Sequence, residues 1–189
     1  MDSNTLDGQD RVDFPISGEH FRFLSDPGDS DHLVFDFVVD PGGGVPLRHQ
    51  HADQEEVYRC RSGRLHLMIG EAEQVLEPGA EATVPRGAVH SLENRGEDPV
   101  VCEVEYRPAG RNREWFKLQG AFMAETGREP GTLDLAPFLG DVGIFIEGPP
   151  VTAQKLLFAL VLKPVAIALG RRRRMLRFAR ARYGEEFTW

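Results

Sequence analysis

At 189 residues, 41% hydrophobic and 28% charged, the chain holds enough apolar material for one well-cored domain with an appendage and is too short for two ordinary domains. The formal net charge of −8 is unevenly spread: residues 1–150 carry 13 Lys+Arg against 28 Asp+Glu (−15), whereas residues 151–189 carry 9 against 2 (+7). An acidic body excludes nucleic-acid binding there, and 20 Gly with 13 Pro speak for turns and short strands over a helical bundle.

Residues 1–13 are acidic and lack an apolar run, which argues against a secretory signal; residues 1–19 read as a flexible N-terminal segment. Cys60 and Cys102 form no C-x-x-C pair and are expected to be small buried hydrophobes of a cytoplasmic protein. Between residues 21 and 106, short β-prone runs alternate with turns. Residues 33–39 are mostly β-branched or aromatic and are stopped by Asp40-Pro41-Gly42-Gly43-Gly44. Runs at 57–60, 64–69, 82–84 and 100–106 follow, separated by Ser62-Gly63, Gly70-Glu71, Glu77-Pro78-Gly79 and Asn94-Arg95-Gly96. Such spacing predicts an antiparallel sandwich or barrel. Two-residue alternation turns Tyr58, Cys60, Cys102, Val104 and Tyr106 inward, and gives Leu65, Leu67 and Ile69 a shared face. Val57, Arg59, Arg61, His66, Glu103 and Glu105 then face outward.

Beyond Pro108 the apolar period lengthens. Asn112 is placed to cap a helix carrying Trp115, Leu118, Phe122 and Met123, with Gly127 ending it. Thr132 would cap a shorter helix through Leu133, Ala136 and Leu139, limited by Pro137. Pro149-Pro150 marks a hinge, and Thr152 opens a helical stretch to about Tyr183. The expected organisation is therefore a β domain over residues 20–107 and a C-terminal helical extension over residues 108–189.

Two segments carry chemistry. In Gly43-x5-His49-x-His51-x4-Glu56-x6-Gly63, histidines two apart on an extended strand project from one face, so both imidazoles can reach one ion. Glu56 adds an anionic oxygen, and Gly63 permits a tight turn into the next strand. In Gly79-x5-Pro85-x-Gly87-x2-His90-x3-Asn94, Pro85 and Gly87 shape a turn that aims His90 back toward those groups.

These paired segments resemble, position by position, the two motifs of the cupin superfamily, including the 15 residues between Gly63 and Gly79; the extension suits a small bacterial member. The resemblance implies an antiparallel jelly-roll β-barrel followed by the helical extension. It makes His49, His51, Glu56 and His90 the ligands of one divalent transition metal ion. Such a ligand set suits Fe, Mn, Ni, Co or Zn and leaves open coordination positions. It also implies a homodimer, with apolar outer faces such as that of Val57 covered by the partner.

Tyr58, two residues after Glu56, is the evident polar group on an expected wall of Leu65, Leu67, Ile69 and Val104. It is the candidate catalytic residue, with ligand hydrogen bonding and core packing as equal alternatives. Asp53 and Glu55 read as solvated loop acids, His66 as a surface residue, Arg48 and Gln50 as outward neighbours, and His20 and His32 as histidines outside the site. An apolar pocket beside a metal favours a small molecule that chelates through oxygen. The leading functional expectation is a metal-dependent, dioxygenase-like oxidoreductase. The alternative is a non-catalytic ligand-binding or sensing module, and the third is a metal-dependent isomerase or lyase.

The tail is apolar over residues 156–169, broken by Lys163 and Pro164, and then basic at Arg171-Arg172-Arg173-Arg174, Arg177, Arg180 and Arg182. At 14 residues the apolar run falls short of the ~18–20 that cross a bilayer. Two readings stand: a helix packed on the body with its arginines meeting acidic groups, or a peripheral membrane contact through an anionic leaflet.

Overall fold

The alternating segments form antiparallel sheets in the computed structural model, which describes residues 10–189; the first part of the expected flexible segment, residues 1–9, lies outside the described residues. One sheet has six strands, in the order β1 (Arg11–Phe14), β2 (Glu19–Phe23), β3 (Leu33–Val39), β10 (Val100–Arg107), β5 (Glu55–Ser62) and β8 (Glu81–Val84). The other has five: β11 (Ile144–Ile146), β4 (Gly44–His51), β9 (His90–Glu93), β6 (Leu65–Ile69) and β7 (Ala72–Leu76). Inward residues of both sheets share one core, in which Phe35, Phe37 and Val104 meet Leu65, Leu67 and Leu92. Among the described residues no ladder joins the two sheets into a closed barrel. Single hydrogen bonds stitch them instead, from the Gly44 N–H to the Ser17 carbonyl at 3.1 Å and from Asn94 Nδ2, just after β9, to the Val39 carbonyl of β3 at 2.9 Å.

Four helices follow: α1 (Asn112–Thr126), α2 (Thr132–Val142), α3 (Val151–Ala168) and α4 (Arg171–Tyr183). Phe116 of α1 fastens the helices to the six-stranded sheet. Its ring stacks on Phe21 at 4.5 Å and also meets Phe14, Phe23, Phe35 and Tyr106. Burying one such ring stabilises by about 1.5–3 kcal/mol. At Gly120 the helix passes so close to β1 that a Cβ there would lie 2.6 Å from Val12 Cγ1. Arg11–Phe14, inside the stretch read as flexible, is accordingly a strand: it pairs with β2 and buries Val12 and Phe14 beneath α1.

The helix ends differ from expectation in detail. Gly127 does close α1 in the left-handed conformation, but Arg111 is the capping residue and Asn112 the first helical one. Gly131 caps α2, which runs through Pro137 to Val142. The extension is not purely helical, because β11 leaves it to pair with β4. The long stretch after Pro150 is broken at Gly170, whose φ of +73° suits glycine. Within α3, Pro164 cannot donate a backbone hydrogen bond. The turn before it widens into a π-helix over Phe158–Leu162, where the Lys163 N–H reaches the Phe158 carbonyl.

Strand parity placed the inward residues well: Tyr58, Cys60, Leu65, Leu67, Cys102, Val104 and Tyr106 are all buried. The outer face of the six-stranded sheet is ionic rather than apolar. Asp36 takes Arg22 and Arg61, Arg61 also meets Glu103, and Arg59 bridges Glu81, Glu103 and Glu105. Val57 stands in register with Glu105 inside this network and is buried, not presented to a partner.

Candidate metal centre

Four side chains from three strands converge at one end of the sheets. His49 and His51 leave the same face of β4, and His90 on β9 is the register partner of His49. Between Val45 and His49 the ladder slips; a bulge of this kind re-aims the side chain that follows it. On the other side of β4, β11 pairs Ile144 with His51 and Ile146 with His49, so the tail braces both histidines. Glu56, near the start of β5, enters from the opposite sheet.

Each imidazole is oriented from behind. The Nδ1 of His49 lies 2.8 Å from the Leu47 carbonyl, that of His90 3.0 Å from the Ala88 carbonyl, and that of His51 3.2 Å from Gln54 Oε1. Because those partners are acceptors, each Nδ1 carries the proton and each Nε2 is left with its lone pair. The three histidines offer nitrogens within 4.8 Å of one another, close enough to share one metal ion. Glu56 is 1% exposed; its Oε1 lies 2.7 Å from His51 Nε2 and its Oε2 3.4 Å from His90 Nε2. Yet His51 Nε2, His90 Nε2 and Glu56 Oε1 make no geometrically sound hydrogen bond. Buried lone-pair atoms that crowd together without a proton between them fit a shared cation.

Charge follows this arrangement. Burial drives the His49 pKa down to about 4, helped by the neighbouring His90 and His51. Burial would raise Glu56, but His51 and His90 outweigh it and hold the carboxyl well below its usual range. Burial is the largest single effect on His90 and lowers it, but the hydrogen bond and charge of Glu56 with the Ala88 carbonyl together leave that imidazole above its ordinary value. The Tyr58 hydroxyl donates to Glu56 Oε2 at 2.5 Å, and its pKa is pushed up by burial and by the Glu56 charge.

Gln54, which no motif position marked, is the hinge of the outer layer. Its Oε1 accepts from His51 Nδ1 and from Asn112 Nδ2 at 2.8 Å, while its Nε2 donates to the Pro108 carbonyl at 2.7 Å. Asn112, expected as a helix cap, thus ties α1 to the metal-site loop. The signal available in the sequence was indirect: His51 Nδ1 needed an acceptor nearby, and Gln54 is three residues away.

A cavity of about 1360 Å³ opens beside His49, His51 and Tyr58. Of the expected wall only Val104 lines it, because β6, which carries Leu65, Leu67 and Ile69, lies beyond β9 from the ligand strand. Phe35, Phe37, Leu92, Phe116 and the α3 residues Leu157 and Phe158 supply the apolar surface instead. Glu19, also on the wall, is buried, accepts from Ser17 Oγ at 2.7 Å and has a pKa raised to about 7 by burial. His20 and His32 stay outside the site, bonded to Asp13 and Asp40 and to Glu105 respectively. His66 is half-buried near Glu73.

A family model described as "Cupin domain" matches residues 35–104, and no curated protein matches the chain. Among solved structures, the chain is 30% identical to a sugar phosphate isomerase of the cupin superfamily from Silicibacter pomeroyi, over 48% of this chain and 59% of that one, at a TM-score of 0.44. It thus spans less than two thirds of that protein's length. An RmlC-like cupin from Shewanella frigidimarina is 16% identical over 58% of this chain and 93% of its own, at 0.47. KdgF from Halomonas is 16% identical over 53% and 90%, also at 0.47.

Proposed function

Starting from the premise that this chain belongs to the cupin superfamily through its domain at residues 35–104, we propose that it is a metal-dependent oxidoreductase, dioxygenase-like in type, acting on a small oxygen-chelating molecule. The observation that carries the reading is the set of buried Nε2 and carboxylate atoms that face one another without hydrogen bonds. His49, His51, Glu56 and His90 would hold one divalent ion from among Fe, Mn, Ni, Co and Zn, and we take the two facing sheets as the halves of a jelly roll. When bound, such an ion supplies Lewis acidity and open positions for substrate oxygens and dioxygen.

The protein groups around it orient and desolvate. His49, which borders the cavity together with His51, is neutral above about pH 4, so it needs no proton removed before it can ligate. Tyr58 keeps the Glu56 carboxylate pointed by donating to it, and its raised pKa makes it a donor rather than a base at neutral pH. The apolar wall excludes water and accepts the non-chelating part of a substrate. Because Tyr58 is engaged with Glu56, proton abstraction in an isomerase or lyase would have to come from elsewhere. A sensing role is favoured by one feature, the approach of α2 and α3 to the cavity, where a bound molecule would touch them.

The test is elemental analysis with oxygen uptake. We expect close to one transition metal per chain, most of it lost in His90→Ala or His49→Ala, and oxygen consumption with part of a panel of chelating hydroxy and keto acids. Protein that takes up no metal after reconstitution would sink the centre. Metal-loaded protein that binds panel members but consumes no oxygen would leave the sensing module.

A further inference from the structure

The helix α3 is 18 residues of largely apolar sequence, and only 11% of it is buried. The run counted from Leu156 understated it, since the helix begins at Val151; by length and composition alone it could cross a membrane. Leu156, Leu160, Val161, Ile167 and Leu169 are exposed, Leu160 at 71%. The opposite side is committed to the body. Gln154 is buried and bonds both the N–H and the carbonyl of Ile146, Phe158 stacks near Phe145 at 6.4 Å, and Lys163 reaches Asp141 at 3.4 Å.

The basic helix that follows is also uncompensated. Among the described residues only Arg171 of the α4 arginines makes an ion pair, with Asp134 at 3.1 Å. Arg172, Arg173, Arg177 and Arg180 instead border one shallow depression on the surface, where Glu185 is the one acidic residue and forms no ion pair with them among the described residues. Packing of the tail on acidic groups, one of the two readings of its sequence, thus accounts for a single arginine.

We propose that α3 is a docking helix that lies in the surface of an anionic lipid leaflet, its exposed leucines among the acyl chains and the α4 arginines on the head groups. Apolar burial and basic charge, adjacent along the chain, are what such a surface rewards together. A second copy of this chain would cover the leucines too, but a two-fold contact along α3 would bring two tails of +7 together. The acidic remainder, at −15, would be held away from the leaflet, so orientation follows from charge.

Truncating the tail would not test this. Met175, Leu176, Ala179 and Tyr183 of α4 belong to the core and pack toward α1, so removal would unfold the protein under either reading. Exposed positions serve better. The full chain, metal-loaded, is floated with phosphatidylcholine vesicles and with vesicles that also contain phosphatidylglycerol. We expect binding to the anionic vesicles at low ionic strength and release by high salt. Leu160→Asp should abolish it. Arg172→Gln with Arg173→Gln and Arg177→Gln should weaken it roughly a hundredfold, on the order of fivefold for each charge. Both variants should keep the parent's metal content and circular dichroism, because they change exposed or half-buried positions. Absence of vesicle binding at low salt would overturn the proposal. So would association that survives both high salt and alkaline carbonate, which would mean a spanning helix, or self-association relieved by Leu160→Asp without any vesicle binding, which would mean a second copy.

Discussion

His51 is held between an inner cluster that the motif announces and an outer partner that it does not. The convergence of His49, His51 and His90 was legible because a two-residue strand period and the Gly and Pro of the next turn are local properties of the sequence. Gln54 and Asn112 were not legible as a pair, since their hydrogen bond joins residues separated by 58 positions and exists only once α1 has docked. Gln54→Leu should leave the fold near intact but free both His51 Nδ1 and the Asn112 amide. We expect metal affinity to fall by about 10–100-fold, read by competition with a chelating dye. Unchanged affinity with unchanged stability would remove Gln54 from the site.

Strands were placed better than their surroundings. Alternation turned Glu105 outward, yet its burial depends on what surrounds it: Arg107 of its own strand at 2.6 Å, His32 from the loop before β3 at 2.7 Å and Arg59 of β5 at 3.1 Å. The Arg107 hydrogen bond leads in lowering the pKa to about 2, against the ordinary 4.5; burial opposes it, and His32 and Arg59 add to the lowering. A carboxyl held down in the folded state adds stability that is fully present above 4.5 and is lost as the pH falls toward 2. Unfolding free energies from urea titration of the parent and of Glu105→Gln should therefore differ at neutral pH, by about 1–3 kcal/mol in favour of the parent, and converge as the solution is acidified through that window. Curves that stay parallel would assign the acid sensitivity to another group. The strand β11 escaped notice for a related reason. Three residues in a stretch otherwise helical carry little periodic signal, and pairing with β4 rather than local propensity decides their conformation.

Across the whole molecule, the tail and the metal centre are joined by a short mechanical path. The side chain of Gln154, in the first turn of α3, grips Ile146, and β11 is hydrogen-bonded along the strand that presents His49 and His51. A surface that drew α3 toward itself would therefore load the same strand that a bound ion would tighten. Free energy of coupling has no preferred direction: if occupancy of the centre changes the affinity of α3 for vesicles by some factor, vesicles must change metal affinity by that same factor. Measuring the dissociation constant for the ion with and without anionic vesicles, and vesicle binding with and without the ion, should return equal ratios in the parent. In Gln154→Ala, where the grip on Ile146 is released, both ratios should fall together toward unity.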